Sequence, residues 1–193
     1  NKQFLDKYNL DISNVKSYQD IGELLKVVKE KEPTVTPLAA GQGFKVESNM
    51  DYPITNGMPF AIDLLGDDSK IINQYDNDRM KANLKTMHEY YQAGYIAQDA
   101  ATSNTDHPLE GKTWFIRQET QGPYDYGDTI LTTAAGQPLV SKPVTLPIKT
   151  TGAAQMANFV VSSNSKNKEK AVEVLGLINS NPELLNGLVY GIE

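Results

Sequence analysis

Apolar residues recur at helical spacing in several places along the chain. Ser17-Tyr18-Gln19-Asp20 resembles a capping box, and behind it Ile21, Leu24, Leu25 and Val28 fall at i, i+3, i+4 and i+7. That single stripe predicts a helix, which Lys29-Glu30-Lys31 continues and Pro33 ends. A second helix is predicted from Asp76-Asn77-Asp78, with Met80, Leu84, Met87 and Tyr91 on one face and Gly94 as its stop. A third starts near Asn167 and carries Ala171, Val174, Leu175 and Ile178. A short fourth begins at Asn181-Pro182, Asn as cap and Pro at the first helical position, with Leu184, Leu185, Leu188 and Val189 as its apolar side. Leu24, Leu25, Leu84, Val174 and Leu175 are the expected core positions on these stripes.

Short strand signals lie between the helices: Val35 to Ala40, Thr113 to Arg117, Val144 to Ile148 and Asn158 to Ser162. Alternation of this kind predicts an α/β fold, a central sheet flanked by helices. Residues 42–75 hold Gly43, Pro53, Gly57, Pro59 and Gly66 and read as a long, partly ordered excursion, as does Gly122 to Pro143. Nothing along residues 1–193 looks like an interdomain linker or a repeat, so a single domain is expected.

Composition narrows the function. Lys and Arg number 18 against 24 Asp and Glu, a net charge of −6, which argues against a phosphate backbone or an anionic membrane surface as partner. No apolar run approaches the ~20 residues of a membrane span. Cysteine is absent, which removes thiol catalysis, thiolate metal sites and disulfides but leaves the compartment open. The start at Asn1-Lys2 and the stop at Tyr190-Gly191-Ile192-Glu193 suggest a piece of a longer protein, with any export signal outside it.

Few catalytic or cofactor motifs survive inspection. Gly41-Gln42-Gly43 opens like a dinucleotide fingerprint but lacks the third glycine and the following helix, so it reads as a turn. Asp76-Asn77-Asp78 starts like a calcium loop without the glycine at position 6, so it reads as a helix cap. His88 and His107 do not make a zinc pair. No nucleophile elbow is present, and no glycosidase acid pair is identifiable from spacing. No cofactor and no metal are expected.

One segment concentrates groups suited to sugars: Trp114-Phe115-Ile116-Arg117-Gln118-Glu119-Thr120-Gln121-Gly122-Pro123-Tyr124-Asp125-Tyr126-Gly127. An apolar strand runs into a polar and aromatic loop, and open α/β sheets bind ligands just beyond the carboxyl ends of their strands. Amide, carboxylate and guanidinium groups exchange hydrogen bonds with hydroxyls in fixed geometry. A solvated loop whose tyrosines cap the core edge is the competing reading. The candidate ligand contacts are Gln42, Phe44, Trp114, Arg117, Glu119, Gln121, Tyr124 and Gln155. Gln42 and Phe44 follow the strand after the first helix, and Gln155 precedes a later strand.

The order of elements resembles a known family. Asn1-Lys2-Gln3-Phe4-Leu5, then Leu10, then Ser17-Tyr18-Gln19-Asp20-Ile21 is similar to the Asn-Lys-x-x-Leu…Thr-Trp-x-Glu-hydrophobic run of bacterial extracellular solute-binding proteins. These are the receptors of carbohydrate ABC importers, of the maltose-binding type. Helix 77–93 with Gly94-Tyr95-Ile96, followed by Leu109-Glu110-Gly111-Lys112-Thr113, resembles the family's approach to a cleft strand. Ala157 to Ser163 followed by Lys166-Asn167-Lys168-Glu169-Lys170-Ala171 resembles a family strand and helix start. The close, Leu184 to Glu193, is similar to a lipoprotein subgroup of Gram-positive type. Tyr18 stands where the family usually carries Trp, and Gly122-Pro123-Tyr124 resembles, with a gap, the Gly-Pro-Trp that carries a sugar-stacking tryptophan.

The resemblance implies one lobe, mainly the second, of a type II periplasmic-binding-protein-like fold. It implies a sugar or oligosaccharide held in an interlobe cleft, hinge closure and delivery to an ABC permease, without catalysis. It also implies a monomer outside the cytoplasm, tied to the membrane only through a lipid anchor beyond this piece. Two other readings stay open from the residues alone: a carbohydrate-active enzyme domain using Glu119 and a second acid, and a surface interaction module.

Overall fold

The structure, a computed structural model, describes residues 1–55, 57–103, 107–119, 129–148, 150, 152–153 and 158–191. Its elements are mixed α and β. The chain divides into two compact units, Asn1–Thr151 and Gly152–Glu193.

The first unit opens on α1 (Lys2–Tyr8), which the sequence pattern did not signal. Asn1 caps it by accepting from the Gln3 N–H, and Asn9 closes it in the left-handed region at φ 50°. The expected first helix is present as a 3-10 turn, Tyr18–Ile21, leading into α2 (Gly22–Lys31). Ser17 makes no side-chain capping bond to the turn; the Asp20 carboxylate instead accepts from the Lys16 N–H (3.0 Å) and the Ser17 hydroxyl (2.8 Å). Strand β1 (Thr36–Ala39) follows, and it pairs in parallel with β5 (Trp114–Arg117). Between them stand α3 (Asp78–Gln92) and a small antiparallel sheet.

That sheet corrects the reading of residues 42–75 as an excursion. It is a three-stranded meander of β2 (Met50–Asp51), β3 (Phe60–Asp63) and β4 (Ile71–Asn73). Strands of two to four residues are too short to show an alternating pattern. A polar knot joins the meander to α3. Asn77 caps α3 by accepting from the Arg79 and Met80 N–H groups, and its amide donates to Asp63 (2.9 Å). Asp63 also accepts from the Leu65 N–H (3.0 Å) and pairs with Arg79.

The core of the first unit packs α2, α3 and the β1–β5 pair together. Leu24, Leu25, Val28, Leu38, Met87, Tyr90 and Phe115 are buried there, Leu25 and Val28 completely. Gly22 lets the Tyr90 ring approach: a Cβ at Gly22 would sit 3.2 Å from the Tyr90 hydroxyl. Leu84, expected in the core, is instead 39% exposed. The buried side of α3 turns through Asn83, whose amide donates to the Glu47 carbonyl (3.0 Å) and to the Ser48 hydroxyl (3.2 Å). A polar residue is drawn inward because the 45–48 segment offers it partners. Helix α4 (Ile130–Ala135) lies within the second expected excursion.

Two expected strands are absent. Val144 to Ile148 forms no strand: Pro143 and Pro147 lack N–H groups, and the Leu146 N–H donates to the Asn49 side chain (2.7 Å). Described residues of Asn158 to Ser162 form none either, since no neighbouring strand pairs with them among the described residues. In the second unit, α5 (Lys168–Ser180) and α6 (Pro182–Tyr190) lie where the pattern predicts, and Asn181 caps α6 by accepting from the Leu184 N–H. The expected burial of Val174 and Leu175 is not seen, however. Val174 is 50% exposed and Leu175 half-buried, because nothing in the second unit covers that stripe.

Leu25→Ala should cost about 2–5 kcal/mol, since its site is closed on all sides; an unmoved urea midpoint would count against this packing. Asp63 supports a second expectation. Burial pushes its carboxyl up, but the Leu65 N–H, Arg79 and Asn77 outweigh that and hold it below the ordinary value. A depressed folded-state value stabilises above the unfolded one and is lost as pH falls through the folded one. Asp63→Asn should therefore cost about 1–3 kcal/mol at neutral pH. The gap to the parent should shrink on acidification, as read by denaturant melts across pH.

Candidate functional site

Parallel pairing sets the geometry. Thr36 stands opposite Trp114, Leu38 opposite Ile116 and Ala39 opposite Arg117, so both carboxyl ends open at the same edge. Gly41 and Gln42 leave from one strand and Gln118 and Glu119 from the other.

Arg117 is the last residue of β5, and Glu119 lies two residues on, on the same side of an extended chain. The Arg117 Nε donates to Glu119 Oε1 at 2.5 Å, and Nη2 pairs with the same oxygen. Arg117 Nη1 donates to the His107 carbonyl, which anchors the guanidinium from the other side. Gln42 is exposed and donates to the Ala101 carbonyl (3.3 Å). The Phe44 N–H donates back to the Gly41 carbonyl (2.9 Å), turning its half-buried ring onto Tyr18 at 6.5 Å and 58°.

Tyr18 ties these pieces together. It is buried, and its hydroxyl accepts from the Glu47 N–H (3.1 Å) and from the Gln118 amide (3.3 Å). Its carbonyl accepts from the Tyr90 hydroxyl (2.6 Å). One residue thus links the 3-10 turn, the 44–48 segment, α3 and the residue just past β5. Gln118 and Glu47 were missed as candidates. Gln118 stood unremarked inside the segment singled out for sugar chemistry, and Glu47 sat in the stretch read as an excursion.

Burial raises the Glu47 carboxyl above its ordinary value, partly offset by Lys45. It also raises the Tyr18 phenol, and it pushes the Tyr52 phenol up to about 12 with help from Glu47 and Tyr75.

Among the candidates, Gln42, Phe44, Arg117 and Glu119 come together at this edge. Trp114 does not. It starts β5, is 3% exposed and donates its indole N–H to the Pro108 carbonyl (2.9 Å), so its faces are given to packing. Gln121, Tyr124 and Gln155 lie outside the described residues. A shallow depression lined by Lys29, Pro33, Thr36 and Tyr95 sits at the amino end of β1, away from these groups. Among the described residues no cluster of His, Asp or Glu could hold a metal ion, and no helix is long and apolar enough to cross a membrane. The site offers amide and guanidinium donors, a carboxylate acceptor and one aromatic edge, the inventory that grips hydroxyl-rich ligands.

By sequence and fold the chain is similar to a part of the solute-binding proteins of carbohydrate ABC importers. A carbohydrate ABC transporter substrate-binding protein of Streptococcus pneumoniae serotype 4 is 52% identical over 193 residues, which is 100% of this chain and 39% of that protein. Among solved structures it is similar to the N-glycan transport solute binding protein NgtS from Streptococcus pneumoniae. Its crystal structure superposes with a TM-score of 0.90 at 52% identity, covering 100% of this chain and 42% of that one. Its complex with Man5GlcNAc gives a TM-score of 0.78 over 99% of this chain and 42% of that one. Its complex with Man1GlcNAc gives 0.79 over 100% and 43%. The chain thus spans about two fifths of the relatives it matches. No family model matches it.

Glu47 yields a prediction with the opposite sign to Asp63. A carboxyl whose folded value is raised stabilises at low pH and loses that contribution as pH rises through the folded value. Glu47→Gln should therefore melt at higher denaturant than the parent at pH 7, with the advantage vanishing below the carboxylate range. An equal or lower midpoint at pH 7 would count against a desolvated carboxyl here.

Proposed function

We propose that this chain is a ligand-binding lobe of an ABC-importer receptor, and that its ligand is an oligosaccharide of the N-glycan type. The observation that carries the reading is the end-to-end match at 52% identity to a protein solved with Man5GlcNAc and with Man1GlcNAc. The open strand edge supports it, because Arg117, Glu119, Gln42 and Gln118 supply donors and acceptors from two strands while Phe44 supplies an apolar edge. Tyr124, Gln121 and Gln155 are proposed as further contacts from the sequence. The receptor traps the sugar between this lobe and the rest of the polypeptide and presents the closed form to its permease, outside the cytoplasm and held by a lipid anchor. It acts as a monomer and without catalysis. The relatives are solute-binding proteins rather than enzymes, and Glu119 is engaged by Arg117 instead of standing free as an acid.

Calorimetry on the full-length receptor tests this. Man5GlcNAc should bind, and Arg117→Ala and Glu119→Gln should each raise Kd roughly ten- to a hundredfold, as loss of a charged hydrogen bond implies. The 193-residue chain alone should bind at millimolar level or not at all. Incubation of the receptor with the glycan should release no new reducing ends. Unchanged affinity in both variants would remove this edge from the cleft, and no binding of any N-glycan oligosaccharide by the full receptor would overturn the ligand class.

A further inference from the structure

Tyr18 is 5% exposed and is held from three directions. Its ring packs on Phe44 at 6.5 Å, its carbonyl accepts from the Tyr90 hydroxyl (2.6 Å) and its hydroxyl accepts from the Glu47 N–H (3.1 Å). The same hydroxyl accepts from the Gln118 side-chain amide at 3.3 Å, 100 residues along the chain. Gln118 directly follows β5, half-buried between Arg117 and Glu119.

We propose that Tyr18 is a positioning residue for the oligosaccharide site: its buried hydroxyl holds the Gln118 amide in the orientation in which it meets a sugar hydroxyl. The proposal rests on the function proposed above and deepens it. Tyr18 is too buried to touch a ligand itself, so its contribution to binding passes through the residue it holds. A glutamine side chain turns about three torsions, and fixing them at the moment of binding costs rotamer entropy. Gln118 is tied to a phenol that is itself fixed, so that freedom is lost before a ligand arrives. The bond also sorts the two ends of the amide. With Nε2 on the Tyr18 oxygen, the amide oxygen is left to accept from a sugar hydroxyl. The neighbouring candidate contacts are held in other ways: Arg117 and Glu119 by each other, and Gln42 by the Ala101 carbonyl. Loss of the Tyr18 hydroxyl should therefore be felt in binding through Gln118.

A double-mutant cycle on the full-length receptor tests this, with Kd for Man5GlcNAc read by calorimetry and stability by urea melts. Tyr18→Phe keeps the ring and deletes the hydroxyl. It should raise Kd roughly three- to tenfold, the range of a neutral hydrogen bond. Gln118→Ala should raise Kd at least as much. In the Gln118→Ala background Tyr18→Phe should change Kd by less than about twofold. It should still lower the urea midpoint there, because the Glu47 N–H has lost its partner. A Tyr18 that only held the fold together would weaken binding equally in both backgrounds. Tyr90→Phe is the control: it deletes another buried hydroxyl, one bonded to the Tyr18 carbonyl rather than to Gln118. It should lower the midpoint and leave Kd within about twofold. An unchanged Kd in Tyr18→Phe, an equal effect in both backgrounds, or an equal rise in Tyr90→Phe overturns the proposal. Should Tyr18→Phe not fold, crystal structures of the unaltered receptor with and without Man5GlcNAc decide instead. A Tyr18–Gln118 bond kept in both, with Gln118 on the glycan, supports positioning; Gln118 leaving Tyr18, or not reaching the glycan, overturns it. A parent receptor that binds Man5GlcNAc while Tyr18→Phe binds it as tightly loses only this proposal. A parent that binds no N-glycan oligosaccharide loses the proposed function, and the proposal with it.

Discussion

Parallel pairing of β1 with β5 brings Ala39 beside Arg117 across a gap of more than seventy residues in sequence. Such a contact is costly in chain entropy, because the loop between must be closed before the pairing gains anything. The first unit recovers that cost through the side chains under the pair. Leu38 and Phe115 are buried from neighbouring strands against Leu25 and Val28 of α2. The β1 edge is held further by the Leu38 N–H donating to the Tyr95 carbonyl (3.0 Å). Gln42, Arg117, Gln118 and Glu119 leave from these two strand ends, so their placement is inherited from an apolar pair.

Tyr18 carries that rigidity outward. A tryptophan at this position would offer only an N–H donor, whereas a phenol oxygen also accepts. Here it accepts twice, from the Glu47 backbone and from Gln118. The phenol therefore has a local structural use: it ties the 44–48 segment to the residue that follows β5. The same segment is gripped on its other side by Asn83, which explains why α3 turns a polar residue inward and leaves Leu84 in solvent.

Helix ends were the most legible part of the sequence. Asn77 and Asn181-Pro182 act through bonds to their own next turn, so the local pattern contains the whole signal. The β1 and β5 strands were legible as apolar runs to within a residue or two. The meander was not, because its register is fixed by pairing among short strands and by the Asp63–Asn77–Arg79 knot, neither of which leaves a periodic trace. The site was half legible. Type and position in the chain pointed to Arg117, Glu119, Gln42 and Phe44, which the structure gathers at one strand edge, but the same logic swept in Trp114, since a strand's beginning and its end look alike in sequence. What separates them is which end of the sheet faces the loops, and that is a property of the crossover.

The candidate edge is one-sided. Arg117, Glu119, Gln42 and Phe44 project from one pair of strand ends, and a ligand laid on them keeps its other side in water. Hydrogen bonds to sugar hydroxyls made there exchange water for protein and return little net free energy each. They gain strength when water is excluded from the far side and the local dielectric falls. An open edge of this kind suits the receptor role proposed above: weak contacts on each side, strong ones only when both are brought together. The fixed partners seen here fit that logic, because Arg117 held by His107 and Glu119, and Gln118 held by Tyr18, lose little freedom when a ligand arrives. Under the function proposed above, preorganisation resides in this chain and enclosure falls to the rest of the polypeptide.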